Sequence, residues 1–169
     1  ISTLDGLIIP GGESTVIGQM SLVNGAIKKI KEKIESGMPV FGICAGMVFL
    51  SKNSQDRIVG NVDQPLLDIL DVKIERNSFG RQKDSFEAKI SMEPIGISSF
   101  HGVFIRAPSV SETGSGVEVL AKFNEKIVAV KQGNVIATAF HPELTKDTSL
   151  HKSFVKLVLS HLLPKDHSF

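Results

Sequence analysis

Apolar positions along this chain switch between two periodicities. Leu4-Asp5-Gly6-Leu7-Ile8-Ile9-Pro10 is an apolar run closed by Pro10-Gly11-Gly12, which predicts a buried strand ending in a tight loop. Glu13-Ser14-Thr15 can open a helical turn. Val23, Ile27, Ile30 and Ile34 then recur at i, i+4, i+7 and i+11 with lysines and glutamates between them, which predicts an amphipathic helix. Gly37 stands where a C-terminal glycine cap belongs, and Pro39-Val40-Phe41-Gly42-Ile43 reads as a second apolar strand. Residues 4 to 43 thus form a strand-helix-strand unit, and a right-handed crossover makes its strands parallel.

Ala45 to Leu50 reads as an apolar helix, and the polar stretch Asn53 to Gln64 as a surface loop. Val72 and Ile74, and then Phe86, Ala88, Ile90 and Met92, alternate with polar residues, the pattern of half-exposed antiparallel strands. Gly102 to Pro108 reads as a further strand with Arg106 at its end. Val117 to Phe123, Ile127 to Lys131 and Val135 to Phe140 read as three strands separated by Asn124-Glu125 and Gln132-Gly133-Asn134 turns, and they deliver His141 to a strand end. Leu150, Phe154, Leu157, Val158 and Leu162 have helical spacing, with Asp147-Thr148-Ser149 to cap the start and Pro164 to stop the end.

Composition narrows the function classes. A chain of 169 residues, 41% hydrophobic, suits one globular domain over 1-169 with a full core. Its 19 basic and 18 acidic residues are interspersed, which argues against a nucleic-acid stripe or a membrane-surface patch. No apolar run approaches the roughly 18 residues of a membrane span, and one cysteine excludes an internal disulfide. A reducing, cytoplasmic setting is expected, with no metal and no cofactor.

That cysteine is the chain's main chemical signal. Gly42-Ile43-Cys44-Ala45-Gly46 sets it between strand and helix, the thiol counterpart of a Gly-x-Ser-x-Gly turn that lifts a nucleophile from a sheet. The positive end of the following helix is expected to lower its pKa. A small buried hydrophobe is the plainer account of a free cysteine. His141-Pro142-Glu143 supplies a possible base. Pro142 favours extended backbone at His141, and residues two apart in extended chain share a side, so Glu143 can orient the imidazole. A surface histidine before a turn explains the same three residues. Gly11-Gly12 can bring backbone amides close to a substrate, as an oxyanion hole requires, or form a simple tight turn. His101, His151, His161 and His167 have no comparable setting.

Pro10-Gly11-Gly12-Glu13-Ser14-Thr15, Gly42 to Gly46, Arg76-Asn77-Ser78-Phe79-Gly80-Arg81-Gln82-Lys83-Asp84-Ser85-Phe86, Phe104 to Pro108 and Phe140 to Leu144 occur together and in order. The set resembles the glutaminase subunit of pyridoxal 5'-phosphate synthase, the PdxT/SNO family, over nearly the whole chain. Class I glutamine amidotransferases share the Cys and His-x-Glu elements; the Gly-Gly-Glu-Ser-Thr and Arg-Asn-Ser-Phe-Gly-Arg-Gln segments are narrower signals.

The resemblance implies an α/β fold, a three-layer, mixed, mostly parallel sheet flanked by helices. It implies Cys44 as nucleophile with His141 and Glu143, and glutamine held by Gly12, Glu13, Ser14, Arg76, Ile105 and Arg106. Backbone amides near Gly12 and Ala45 would receive the oxyanion. The arginines suit an amino acid's carboxylate, which a guanidinium meets in bidentate fashion. Ammonia would pass to a PdxS-type synthase subunit, L-glutamine being the substrate and a large hetero-oligomer the setting. Ile43 departs from the threonine of many relatives. A βα unit that precedes Ile1 in the family is expected to be missing from this chain. A glutaminase serving another synthase and a non-catalytic regulatory subunit are the competing readings.

Overall fold

The computed structural model describes residues 1–56, 60–61, 63–79 and 85–163. Gly80 to Asp84, the Pro164 helix stop and His167 lie outside the described residues.

The chain opens with β1 (Leu7–Ile9), followed by α1 (Ser14–Val23), α2 (Ala26–Glu35) and β2 (Val40–Ile43). β1 and β2 are parallel neighbours, with Leu7 opposite Val40 and Ile9 opposite Gly42. The single helix expected through Val23 to Ile34 is two helices. Gly25 takes φ 68° at the break, and Asn24 Oδ1 accepts from the Ala26 N–H at 2.9 Å, starting α2 anew. Val23 is consequently 86% exposed, away from the stripe formed by Ile27, Ile30 and Ile34. At the other end Gly37, φ 103°, donates to the Ile34 carbonyl and Met38 to that of Lys33, a Schellman closure.

Next come α3 (Ala45–Leu50), β3 (Ser51–Asp56), β4 (Gly60–Asn61) and β5 (Leu70–Arg76). The loop expected from Asn53 is thus strand from Ser51 to Asp56. Its inward positions are Ser51 and Ser54, both buried. Ser51 Oγ donates to the Val48 carbonyl at 2.7 Å, and Ser54 Oγ accepts from Gln64 Nε2 at 2.7 Å. Satisfied hydroxyls can occupy buried positions that hydropathy assigns to solvent. β5 lies between β3, parallel to it, and β8 (Ser109–Thr113), antiparallel to it.

β6 (Phe86–Met92) and β7 (Ile97–Phe104) form a separate antiparallel pair, turned by Glu93–Ile95 and by Gly96 at φ 73°. β7 starts earlier than expected and ends at Phe104, so Ile105 and Arg106 leave the strand. β8, unanticipated, follows at once. β9 (Glu118–Phe123), β10 (Lys126–Gln132) and β11 (Val135–Thr138) match the three expected strands, with β11 ending before His141. The large mixed sheet runs β1-β2-β11-β10-β8-β5-β3-β4, and β9 also pairs with β10.

α4 (Ser149–Leu162) closes the chain; Asp147 Oδ1 accepts from the Ser149 N–H at 2.8 Å at its start. Its Leu150 and Phe154 are buried, whereas Leu162 is exposed. Phe41 of β2 meets Phe154, with ring centroids 5.7 Å apart, while the neighbouring Gly42 faces α3 on the other side of the sheet. Helices therefore cover both faces of the parallel strands. No helix among the described residues is long and apolar enough to cross a membrane.

Candidate functional site

β2 delivers Cys44 to a sharp turn into α3. Cys44 takes φ 49° and ψ −103°, a conformation costly for a residue with a Cβ. Its N–H donates to the Thr138 carbonyl of β11 at 2.7 Å, and its carbonyl accepts from Val48 at 3.2 Å. The flanking glycines permit the turn. A Cβ on Gly42 would meet the Gly46 backbone at 2.9 Å, and a Cβ on Gly46 would collide with the Ile9 carbonyl.

Cys44 is 8% exposed. Its Sγ lies 4.0 Å from the Ile105 carbonyl, toward which the thiol can donate. Burial pushes the thiol up to about 11, overriding the Ala45 backbone amide and Arg106, which pull it down, with Glu143 and Glu13 adding to the rise. This corrects the expected lowering. α3 has six residues and is wholly buried, so one amide reaches the sulfur but desolvation of the thiolate outweighs it.

His141 has φ −102° and ψ 90°, the extended backbone that Pro142 favours. Its N–H donates to the Val103 carbonyl of β7 at 2.8 Å, and the preceding Phe140 packs between Phe100 and Phe104. The β6–β7 pair thus anchors the histidine. Nδ1 of His141 is 2.7 Å from Glu143 Oε1. With Nδ1–H donating to that carboxylate, Nε2 is the nitrogen left to accept a proton.

One cavity of about 260 Å³ brings the candidates together: Cys44, Ala45, His141, Gly12, Glu13, Ser14, Arg76, Ile105 and Arg106 all line it. Glu143 does not line it and reaches it through His141. Arg76 Nη2 donates to Glu13 Oε1 at 3.0 Å, so the cavity carries a paired cation and anion, the complement of a zwitterion. Glu13 also caps α1, accepting from the Thr15 N–H at 3.4 Å. Arg106, at φ 44°, leaves β7 beside it. Among the described residues no group of three or more His, Cys, Asp or Glu is placed to hold a metal ion.

Three contributors escape sequence reasoning. Asn77 and Pro108 line the cavity, and Asn77, at φ 53°, donates from Nδ2 to Asp56 Oδ2 at 2.7 Å. Gln64 lies behind it, buried, with Oε1 accepting from Ser14 Oγ at 3.0 Å and Thr15 Oγ1 at 3.1 Å. Asparagine's tolerance of positive φ was a usable signal for Asn77. For Gln64, one glutamine in a polar stretch, there was none.

The arrangement suits covalent chemistry on a small amino acid: a thiol, an imidazole oriented by a carboxylate, and a charged pair for the head group. Comparison with known proteins points the same way. Residues 1–160 match the model of the SNO glutamine amidotransferase family. The chain is 66% identical over 158 residues to the protein named pyridoxal 5'-phosphate synthase subunit PdxT of Nitrosopumilus maritimus, covering 94% of this chain and 77% of that one. The protein of the same name in Moorella thermoacetica is 49% identical over 153 residues, covering 90% and 79%. A crystal structure of a glutamine amidotransferase superposes with TM-score 0.84 at 47% identity, covering 92% and 79%. A putative GMP synthase component from Thermoplasma acidophilum superposes at TM-score 0.62 and 17% identity, covering 94% and 75%, a likeness of fold.

Proposed function

Since the chain belongs to the SNO glutamine amidotransferase family, we propose that it is a glutaminase subunit of pyridoxal 5'-phosphate synthase, working as one domain through Cys44, His141 and Glu143. The observation that carries this reading is the 2.7 Å contact of His141 Nδ1 with Glu143, in a histidine that shares a cavity with Cys44. Glutamine enters with its carboxylate toward Arg76 and Arg106 and its ammonium toward Glu13, held by backbone at Gly12 and Ile105 and by Ser14.

The buried thiol rests protonated, so the first step is transfer of its proton to His141 Nε2. Thiolate attacks the side-chain amide carbonyl, and backbone N–H groups near Gly12 and Ala45 receive the oxyanion. The imidazolium returns its proton to the departing nitrogen, giving ammonia and a thioester. Water, deprotonated by His141, then releases glutamate and restores the thiol.

Ammonia in bulk water at neutral pH becomes ammonium, which is no nucleophile. Useful transfer therefore calls for a synthase subunit docked at the cavity, of the PdxS type, in the cytoplasm. Glycines near Gly12 allow more than one peptide orientation, and a docked partner can select the one that holds the oxyanion.

The test is glutamate release at saturating glutamine, with and without the synthase subunit, for the wild type and Cys44→Ser. Release that rises with the partner and vanishes in Cys44→Ser is the expected result. An isolated chain already at full rate would refute the coupling, and an active Cys44→Ser would refute the nucleophile.

A further inference from the structure

The two walls that carry Arg76 and Arg106 are joined behind the cavity by three side chains that do not line it. The β5–β8 ladder ends where Glu75 faces Ser109. Beyond that point the two walls are no longer paired with each other: β5 ends at Arg76, which pairs with Asp56 of β3, and Asn77 at φ 53° and Arg106 at φ 44° lie outside the strands. No strand pairing sets their separation there. Ser78 and Ser109, each 2% exposed, take over, with their Oγ atoms 2.7 Å apart. The Ser78 N–H also donates to the Ala107 carbonyl at 3.0 Å.

Lys126, at the start of β10, gives this link a direction. Its Nζ donates to Ser78 Oγ at 2.7 Å, lies 3.9 Å from Glu75 Oε2 and sits 5.7 Å from the centroid of the Phe79 ring. An ammonium only donates, so it uses an acceptor site of Ser78, whose hydroxyl hydrogen can then go to Ser109. Each bond polarises the next, in surroundings where an unsatisfied hydroxyl would be costly.

We propose that Lys126, Ser78 and Ser109 form a positioning relay that sets the distance between Arg76 and Arg106 and thereby the fit of the substrate's amino-acid head group. Lys126 touches neither substrate nor thiol in this scheme; it acts on recognition through the two walls. The inference rests on the glutaminase reading above.

Loss of a relay of this kind loosens substrate binding and spares the chemistry, which separates it from a merely structural role. The experiment measures glutamate release against glutamine concentration for the protein in complex with its synthase subunit, comparing wild type, Lys126→Met, Lys126→Arg and Ser109→Ala. Lys73→Met, which removes a lysine from the Lys73–Glu112 surface pair, is the control. Lys126→Met and Ser109→Ala should raise KM about tenfold with kcat within about twofold, and Lys126→Arg should recover most of the loss. Alkylation of Cys44 by iodoacetamide should proceed at the wild-type rate in all of them.

A KM within about twofold of wild type in Lys126→Met overturns the relay, as does a parallel fall in kcat and alkylation rate. Lys126 is partly exposed, so its substitution remains informative if Ser109→Ala fails to fold. A wild-type complex that releases no glutamate overturns the glutaminase reading and takes the relay with it; an active one isolates the relay for judgement.

Discussion

The imidazole of His141 occupies the place where a side chain on Gly11 would begin. A Cβ built on Gly11 collides with Cε1 and lies 3.1 Å from Nδ1 and 3.4 Å from Nε2. The first loop therefore forms a wall against which the proposed base rests, and glycine is required there by contact. Gly11→Ala should displace the ring from Glu143 and lower glutaminase kcat at least tenfold, with little loss of thermal stability, because the loop adds little to the core. Steady-state kinetics beside a thermal melt would check this; a fully active Gly11→Ala protein would mean that the ring position is unimportant.

The raised Cys44 pKa carries a sign that can be measured. The ordinary thiol value is 9.0 and the folded value about 11, so between these the unfolded chain loses its proton while the folded chain keeps it. The folded state then binds more protons, and stability falls as pH rises through that window, by about 3 kcal/mol in total. Chemical denaturation of wild type and Cys44→Ala from pH 8 to about 11 should show an extra decline in the wild type. Equal slopes would remove burial as the governing influence on this thiol.

His141 and Glu143 have unequal parts in the proposed reaction. The histidine moves protons at the cavity, whereas the half-exposed carboxylate orients it from behind at 2.7 Å. His141→Ala should cost about 10³-fold or more in kcat and Glu143→Gln less, since an amide can still accept the Nδ1–H bond. Circular dichroism should find both variants folded. A Glu143→Gln protein slower than His141→Ala would reverse the assignment.

Gln64 should matter although it lies outside the cavity lining. Its amide ties Ser14 and Thr15 to Ser54, and next to it a Cβ on Gly18 would meet the Pro65 carbonyl oxygen at 2.5 Å. Gln64→Leu leaves buried hydroxyls without this partner and should cost about 1–3 kcal/mol of stability. Ser14 borders the cavity, so glutamine hydrolysis should weaken as well. Denaturant titration and kinetics together test the pair of effects; a variant as stable as wild type would refute the role of the amide.

Legibility from sequence tracked how local the causes were. β1, β2 and the Cys44 turn were plain because apolar runs, proline and glycine act within a few residues. α4 was legible for the same reason. β3 was hidden because Ser51 and Ser54 take inward positions and are satisfied by Val48 and by Gln64, partners that a window of sequence does not contain. The Asn24-Gly25 break was readable in principle, but the apolar period from Val23 to Ile34 runs straight through it. The cavity residues assembled from motifs far apart in the chain, which resemblance could gather and periodicity could not. The thiol's direction was misjudged because burial, a tertiary property, outweighs the helix end that sequence displays.

Three cavity residues, Cys44, Asn77 and Arg106, hold positive φ although each carries a Cβ. Replacement by alanine at these positions would remove the side chain's contacts yet keep the backbone cost, while replacement by glycine would remove both. A scan with alanine alone would therefore report the lost contacts and leave the strain of the turn unseen. Paired alanine and glycine variants at Asn77 and Arg106 separate the two, so this pocket can be mapped into what its side chains hold and what its bent backbone holds.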